Sequence, residues 1–364
     1  MAGTSRAYSL AHPGVSITWA RRTLQDFADQ PLDALCKKYD LLVIDHPHIG
    51  HLANNGCVLR LDGVGRDQQL AALAAESLGL SHLSYNDGGH QWALAIDAAS
   101  QVSAYRPDLI EQPPALWEEM IEMARAGRVL WPAKPVDAIS TFNSLMANLG
   151  HPLPSRAGSL LARGEAQRVL ELMAALASLV PQQCLAMNPP QVLDWLSSDS
   201  NTQFALCPLL YGYSNYAKDG FRCNRIRFAD AIGPGPVPYR GTQLGGAGIA
   251  VSSFSAAVDE AVDYAFWIAS AECQRTVYFD SGGQPANRVA WKDERVNELS
   301  GHFFQATTNT LENAWMRPRH DRYLEFQDSA GTQINRFLRR EADIDATIDR
   351  LIHLHREAFS APLR

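Results

Sequence analysis

Short apolar runs alternate with amphipathic, helix-periodic stretches along almost the whole of this chain. Residues 15–19 alternate apolar and polar side chains, which predicts a strand, and the near-continuous apolar run at residues 39–45 is typical of a parallel strand buried on both faces. A helix-periodic stretch lies between them, at residues 24–38. The chain is therefore expected to open as a strand–helix–strand unit, and the same alternation further along predicts an α/β fold.

The later segments continue this alternation. Helices are predicted at residues 66–78, from about residue 116, and at residues 137–148, 165–179, 258–269, 296–314 and 343–359. Strands are predicted within residues 92–105, 203–210 and 248–252. Residues 233–248 are rich in glycine and proline and are expected to form a loop or hinge. Ser253 or Ser255 is expected to cap the helix that follows.

Length and composition limit the class of protein. A chain of 364 residues exceeds the size at which one hydrophobic core usually stops growing, so two lobes are expected. Hydrophobic residues make up 46% and charged residues 20%, an ordinary globular balance. The net charge is −7 and no long basic run occurs, which argues against a nucleic-acid partner. No stretch is apolar enough to predict a membrane-spanning helix.

The N-terminus and the cysteines bear on the cellular compartment. Residues 1–13 have no basic segment followed by an apolar one, so an export signal is not expected in the chain as written, and a cytoplasmic location is possible. The six cysteines are scattered and include no Cys-x-x-Cys pair. They are predicted to be buried, reduced thiols.

The middle of the chain carries a family resemblance. An extended segment at residues 92–105 leads into Arg106-Pro107-Asp108-Leu109 and then Pro113-Pro114-Ala115-Leu116-Trp117-Glu118-Glu119. This resembles the hinge segment of carbohydrate-type (family 1) extracellular solute-binding proteins, the group that includes maltose-binding protein. In that family the chain enters the second lobe as a strand ending in a Tyr-Asn-Lys-Asp-Leu-like motif, and a Pro-x-Thr-Trp-Glu-Glu-like helix start follows.

Three further matches occur in the family's order, at residues 39–45, at residues 245–252 with the helix after them, and at Asp280-Ser281-Gly282-Gly283-Gln284-Pro285. The resemblance covers residues 15–355. One feature departs from it, because the family begins with a strand and a long helix ahead of the strand that matches residues 15–19. Only 14 residues precede that strand here, so the first strand of the first lobe is expected to be missing.

The resemblance implies a type II periplasmic-binding-protein fold, with two α/β lobes joined by a hinge and a ligand cleft between them. The first lobe is expected at residues 1–104 and 248–315, and the second at residues 105–247 and 316–364. The implied function is that of the solute-binding subunit of an ABC importer, which binds a small sugar or polyol without catalysis or cofactor. The implied partners are the ABC permease subunits, the implied form is a monomer, and the implied location is periplasmic or extracellular.

Polar side chains follow the predicted strand at residues 39–45. Open α/β sheets place ligands at the carboxyl ends of their strands, so Asp45, His46 and His48 are candidates for hydrogen bonds to solute hydroxyls. A sharper alternative makes His46, His48 and His51 ligands of a metal ion, although their spacing gives no helical i, i+4 pair. A purely structural loop is the third interpretation.

The extended segment at residues 92–105 contributes two further candidates. Asp97 and Gln101 share the parity of an extended strand and are expected to face the cleft together, whereas Trp92 has the opposite parity and is expected to pack in the core. A carboxylate in an apolar run is costly to bury unless it is paired. The alternative is that these side chains only stabilise the hinge.

A cluster of tyrosines follows the strand predicted at residues 203–210. Tyr211 and Tyr213 are candidates for stacking on a sugar ring, and Asn215 for binding its hydroxyls. A tyrosine-rich loop packed on its own lobe is the alternative. Ferric-ion binding through tyrosinates is a weaker possibility, since no adjacent pair of tyrosines occurs.

Two glycines and a polar turn complete the set in the predicted first lobe. Gly245 and Gly246 would let a ligand approach the backbone closely, or form a plain hinge. Gln284 and Arg288 could reach the ligand from the turn around residue 283, which is otherwise structural.

Near the predicted third crossing, Trp315 could act as a stacking platform. Arg317 could bind a carboxylate or phosphate group through two hydrogen bonds. A surface salt bridge is the commoner fate of such an arginine.

Enzyme motifs give no positive signal. The chain contains no Gly-x-Ser-x-Gly elbow, Walker loop or His-Glu-x-x-His pair. Distant carboxylates could still converge, so a cytosolic enzyme or a ligand sensor built on the same fold is the alternative function.

Overall fold

The computed structural model describes residues 1–21, 32–155 and 161–359. The helices are, in chain order, α1 (Ala2–Ala11), α2 (Leu32–Cys36), α3 (Ile49–Asn54), α4 (Asp67–Ala75), α5 (Trp117–Arg125), α6 (Pro135–Asn148), α7 (Arg163–Ala177), α8 (Pro189–Leu196), α9 (Val258–Ala269), α10 (Ala271–Cys273), α11 (Arg288–Lys292), α12 (Glu294–Leu299), α13 (Phe303–Ala306), α14 (Thr308–Glu312), α15 (Tyr323–Leu338) and α16 (Ile344–Phe359). The strands are β1 (Leu41–Ile44), β2 (Asn86–Asp87), β3 (His90–Gln91), β4 (Leu94–Tyr105), β5 (Leu206–Tyr211), β6 (Arg227–Ala229) and β7 (Leu244–Val251). The predicted α/β class is confirmed.

The chain forms two compact units. Unit 1 comprises residues 1–98 and 245–296, and unit 2 comprises residues 99–244 and 297–364. The long strand β4 supplies residues to both. The third crossing of the chain falls after residue 296, so Trp315, which was expected at the end of the first lobe, belongs to unit 2.

In unit 1, β1 pairs antiparallel with β7, with Leu42 opposite Ala250, and β7 is followed in the sheet by β4. The predicted opening strand–helix–strand unit with a parallel strand is therefore wrong. The partner of β1 comes from about 200 residues later in the chain. The apolar run reflects burial of Leu42 and Ile44, whereas Val43 between them is 36% exposed.

The period-two geometry of β7 divides the core of unit 1 into two clusters. Ile249 and Val251 pack in a cluster with α9 and with Leu94 and Ile96 of β4. Ala250 points into the other cluster, with Leu42, Ile44, Ile49 and Leu52 among its members. The second cluster supports the turn in which β1 ends.

No strand is formed at residues 15–19, contrary to the prediction. Val15, Ile17 and Trp19 are partly buried against the α9 cluster, which accounts for the alternation without any ladder. The indole of Trp19 donates to Ser5 Oγ of α1, an unpredicted helix (2.5 Å). Residues 14–20 and β1 line the same groove, which has a volume of about 530 Å³.

In unit 2, the second part of β4 pairs antiparallel with β5 and with β6. A helical layer accompanies these strands, in which α15 packs on α6, α7 and α16. Gly331 allows the close approach of α15 to α6, because a Cβ atom there would collide with the carbonyl oxygen of Pro135.

Most of the predicted helices are confirmed, within two or three residues at each end: α4, α5, α6, α7, α9 and α16. The predicted strands β4, β5 and β7 are also present, and β7 begins four residues earlier than predicted. Of the helix predicted at residues 24–38, α2 is present, and residues 22–31 lie outside the described residues. The predicted helix at residues 296–314 is instead broken into α12, α13 and α14. His302 adopts a left-handed conformation (φ 61°), which no continuous helix contains.

Two smaller predictions are corrected. Residues 245–248, expected in a loop, belong to β7. The N-cap of α9 is Ala257 rather than Ser253 or Ser255, although Ser255 Oγ accepts from the Ala257 amide (3.1 Å). Helices α8 and α15 were not predicted.

All six cysteines are free thiols, of which Cys223 alone is exposed and the other five are buried. None of the described helices is long and apolar enough to cross a membrane.

Candidate functional site

Asp45 turns the chain at the end of β1. Its backbone is still extended (φ −85°, ψ 146°), and its carboxylate Oδ1 accepts a hydrogen bond from the His46 amide (2.8 Å). This caps a single 3₁₀ turn at His46–His48, which Pro47 favours because a proline fits the first positions of such a turn. The carboxylate is thereby held at the strand end, with its side chain 39% exposed.

His46 and His48 differ in their accessibility. The ring of His46 is completely buried, with Nδ1 3.3 Å from the Asp45 carboxylate and its edge toward the ring of Tyr85 (6.3 Å between centroids). His48 is half-buried. His51 pairs instead with Asp33 (3.0 Å). Within the described ranges, no three His, Cys, Asp or Glu side chains converge as a metal site would require.

Asp97 is the most perturbed of the predicted residues. The residue as a whole is half-buried, but its carboxyl group is enclosed enough that burial raises its pKa to about 7, and the nearby carboxylate of Asp45 adds to the rise. No hydrogen bond from another described side chain or amide reaches the Asp97 carboxyl group. The two acidic groups that the prediction placed on different segments are therefore brought near each other in unit 1.

Gly246 lies against the backbone of Asp97. Its φ is +116°, and a Cβ atom at this position would collide with the Asp97 carbonyl oxygen. The requirement for glycine is thus explained by the close approach of two strands of unit 1. Gly245 beside it is half-buried in β7.

The turn that carries Gln284 and Arg288 is anchored in unit 1. The Gln284 amide is buried and donates to the Ala98 carbonyl (3.0 Å), one residue beyond Asp97. Arg288 opens α11, and its guanidinium donates to the Ser77 carbonyl (2.8 and 3.1 Å). Gln284 therefore binds the backbone next to Asp97. The Arg288 guanidinium is held by the backbone that follows α4.

Gln101 belongs to a buried hydrogen-bond network in unit 2. It is completely buried; its amide donates to Thr141 Oγ1 (3.1 Å) and its carbonyl accepts from Ser144 Oγ (2.6 Å). The Gln243 amide continues the network, donating to Ser140 Oγ (2.9 Å) and to the Tyr211 hydroxyl (2.8 Å). Although Asp97 and Gln101 share parity on β4, the structure does not place them in one group of side chains.

The tyrosine cluster divides in the same way. Tyr211 ends β5, half-buried, with its hydroxyl held by Gln243. Tyr213 is 43% exposed and is the N-cap of the short helical turn Ser214–Ala217 that contains the half-buried Asn215. Tyr213 is therefore the aromatic ring of this cluster that is most accessible to a solute.

Trp315 and Arg317 follow α14 in unit 2. The Trp315 backbone bridges to Gln243, with its amide donating to the Thr242 carbonyl (2.8 Å), and its side chain is half-buried. Arg317 is buried, and its Nη1 approaches Gln327 Oε1 (3.4 Å). Trp315 is thereby held next to the network that also holds Tyr211.

Sequence reasoning missed two tyrosines next to the unit 1 residues. Tyr85 is buried, donates to the Ile44 carbonyl (3.3 Å) and packs so closely on Gly248 that a Cβ atom there would contact its ring. Tyr278 is buried near Asp97, and burial together with the Asp97 charge raises its pKa well above the ordinary value. Neither residue lies in a recognisable motif, since both are brought in by packing between distant segments.

The chain matches known proteins at the level of family and fold. A family model described as bacterial extracellular solute-binding protein matches residues 11–302. No curated protein sequence matches the chain.

Solved structures agree with this over nearly the full length. Maltose-bound MalE3 of T. maritima is 17% identical, with a TM-score of 0.81, covering 97% of this chain and 94% of that one. An ABC transporter solute-binding protein of Thermotoga lettingae, bound with α-D-tagatose, is 15% identical, with a TM-score of 0.82 and coverages of 98% and 95%. One from Agrobacterium radiobacter, in complex with ribitol, is 17% identical, with a TM-score of 0.81 and the same coverages.

These likenesses establish the type II periplasmic-binding-protein fold. The family model covers more than half of the sequence, and the chain therefore belongs to the bacterial extracellular solute-binding protein family.

Proposed function

We propose that this chain is the solute-binding subunit of an ABC importer and binds a sugar or a polyol. The observation that carries the proposal is the pair of acidic side chains in unit 1, Asp45 and Asp97, in a chain that belongs to a solute-binding family. Solved structures of similar fold hold tagatose, ribitol, mannitol or maltose. The proposed partners are ABC permease subunits, and the proposed location is outside the cytoplasmic membrane.

The chemistry of a polyhydroxylated solute fits these side chains. Hydroxyl groups donate to carboxylates, and hydrogen bonds to a charged acceptor contribute about 1.5–3 kcal/mol. The apolar C–H face of a sugar stacks on an aromatic ring, for which Tyr213 and Trp315 in unit 2 are the proposed platforms. Asn215 is the proposed additional amide group.

The proposed mechanism is a population shift. A solute that binds one conformation of the protein more tightly than the others stabilises that conformation. The permease would then recognise that solute-bound form of the monomer. No covalent step is proposed.

Thermal unfolding of the full chain against a panel of hexoses, pentitols, hexitols and maltodextrins tests this proposal. A solute that binds only the folded state raises the melting temperature, on the order of 5 °C at about 100 times its Kd. One chemical class of solute is expected to produce such a shift. A cooperative transition that no member of the panel displaces would contradict the proposal.

One observation favours a second candidate, an enzyme on the same fold. The Asp97 pKa of about 7 beside a second carboxylate is a condition under which general acids operate. Incubation of the identified solute with the protein, followed by mass spectrometry of the recovered solute, separates the two. Binding alone returns the solute unchanged, whereas catalysis returns a product.

A further inference from the structure

Cys36 and Cys57 come together in unit 1. Cys36 ends α2, and Cys57 follows α3. The carbonyl oxygen of Cys36 accepts from Ser252 Oγ, and the carbonyl oxygen of Cys57 accepts from the amide of Ser253 (3.1 Å). Because Ser252 and Ser253 are consecutive, the two cysteine backbones are held side by side.

The two thiols point into the same small space. Both residues belong to the cluster around β1 and are almost completely buried, with exposures of 1% and 3%. The Cys57 thiol donates to Asp33 Oδ1 (3.2 Å), one turn before Cys36 on the same helix. Burial raises the pKa of the Cys57 thiol, and Asp33 and the nearby Cys36 add to the rise.

We propose that Cys36 and Cys57 are a disulfide site, oxidised when the chain folds outside the reducing cytoplasm. The oxidant is a disulfide, either of a thiol–disulfide oxidoreductase or of a small molecule. One cysteine thiolate attacks the oxidant and releases its first thiol, and the second cysteine attacks the mixed disulfide and releases the other. Each cysteine loses one proton, and the oxidant disulfide is reduced to two thiols.

The bond would close a loop that contains β1, Asp45, His46 and His48. It would therefore restrain the unfolded chain at the segment that presents the first predicted solute-binding side chains. Membership of an extracellular family places the chain where such bonds persist.

Asp33 is the proposed positioning residue for this chemistry. Burial and its hydrogen bond with Asp33 raise the pKa of Cys57 to about 12, which keeps the thiol protonated at neutral pH. Since the thiolate is the attacking species, the folded, reduced chain is expected to oxidise slowly, and Asp33→Asn is expected to oxidise several-fold faster. If Asp33 had only a structural role, Asp33→Asn would oxidise at the same rate as the unaltered chain when the two are equally stable.

Refolding of the full chain in a buffer of reduced and oxidised glutathione tests the proposal. After alkylation in denaturant, two of the six thiols are expected to be protected, and non-reducing peptide mapping is expected to link Cys36 to Cys57. The melting temperature should exceed that of the reduced chain by roughly 5 °C.

The matched control is Cys273→Ala, which removes another buried thiol of unit 1 and should leave the linked peptide pair intact. Cys36→Ala and Cys57→Ala should each abolish it. Alkylation of all six thiols after oxidative refolding, or a linkage through a different cysteine, would overturn the proposal.

Discussion

In unit 1, the carboxyl group of Asp97 receives no hydrogen bond from any other group in the described ranges, whereas Gln101, four residues further along β4, has both of its amide atoms engaged within unit 2. The two side chains have the same parity on the same strand. In unit 1, the Asp97 carboxyl group can therefore still accept hydrogen bonds from a solute. In unit 2, the amide of Gln101 already makes hydrogen bonds that stabilise the unit. Parity along a strand determines a face but not what packs against it.

Substitution of Gly246, beside Asp97, is expected to cause the largest loss of stability. Gly246→Ala places a Cβ atom against the Asp97 carbonyl at a φ that L-residues rarely adopt, and should destabilise unit 1 by about 3 kcal/mol or more. Urea denaturation measures this. The matched control is Gly65→Ala, at φ +73° with open space around it, which should cost about 1 kcal/mol. Equal losses in the two variants would show that the close approach to Asp97 is not a constraint.

The network of unit 2 should respond to loss of its central amide. Gln243→Ala removes hydrogen bonds to Ser140, Tyr211 and Asn143, and should lower the free energy of unfolding by about 2 kcal/mol. Chemical denaturation measures the loss. Gln203→Ala, which removes a single exposed side-chain bond to the Gly127 carbonyl, is the control and should cost well under half as much. A neutral Gln243→Ala would contradict a structural role for the network, and with it for Gln101.

Some elements of the fold could be predicted from the sequence and others could not. The helices with a strong apolar period were predicted within a few residues, and the order of motifs identified the family. Helix α15 was missed although Tyr323, Phe326, Ala330 and Ile334 follow a helical period along it. The partner of β1 could not be predicted, because nothing local in residues 41–44 specifies an antiparallel neighbour about 200 residues away.

The candidate site was less accessible to prediction than the fold. Asp45 and Asp97 could be proposed from their positions at strand ends and in an apolar run. Three other features depend on packing between distant segments: the burial of His46, the hydrogen bonds of Gln101 within unit 2, and the position of Tyr278 near Asp97. The pairing of Cys36 with Cys57 depends on the same kind of information, since 20 residues separate them in the sequence.

Two aspartates with enclosed carboxyl groups, Asp97 in unit 1 and Asp137 in unit 2, are expected to have a smaller, pH-dependent effect on stability. Burial raises the pKa of both Asp97 and Asp137 to about 7, so the folded state binds their protons more tightly than the unfolded state does. Their contribution to stability is fully present below the ordinary pKa of about 3.8 and is lost as pH rises toward about 7. Asp97→Asn and Asp137→Asn should each flatten this decline, by up to about 1.4 kcal/mol per pH unit. Denaturation across a pH series measures it, and an unchanged slope in either variant would contradict the raised pKa.

The most direct test of the proposed solute-binding side chains is calorimetric titration with the solute that the thermal panel identifies. Asp97→Asn in unit 1 should weaken binding by about 10- to 100-fold, and Tyr213→Ala in unit 2 by about 10-fold. Their matched controls are Asp137→Asn, an equally perturbed carboxyl group, and Phe254→Ala, another exposed aromatic ring; both should bind with the Kd of the unaltered chain. Unchanged affinity in Asp97→Asn and Tyr213→Ala, or losses as large in the controls, would contradict the account.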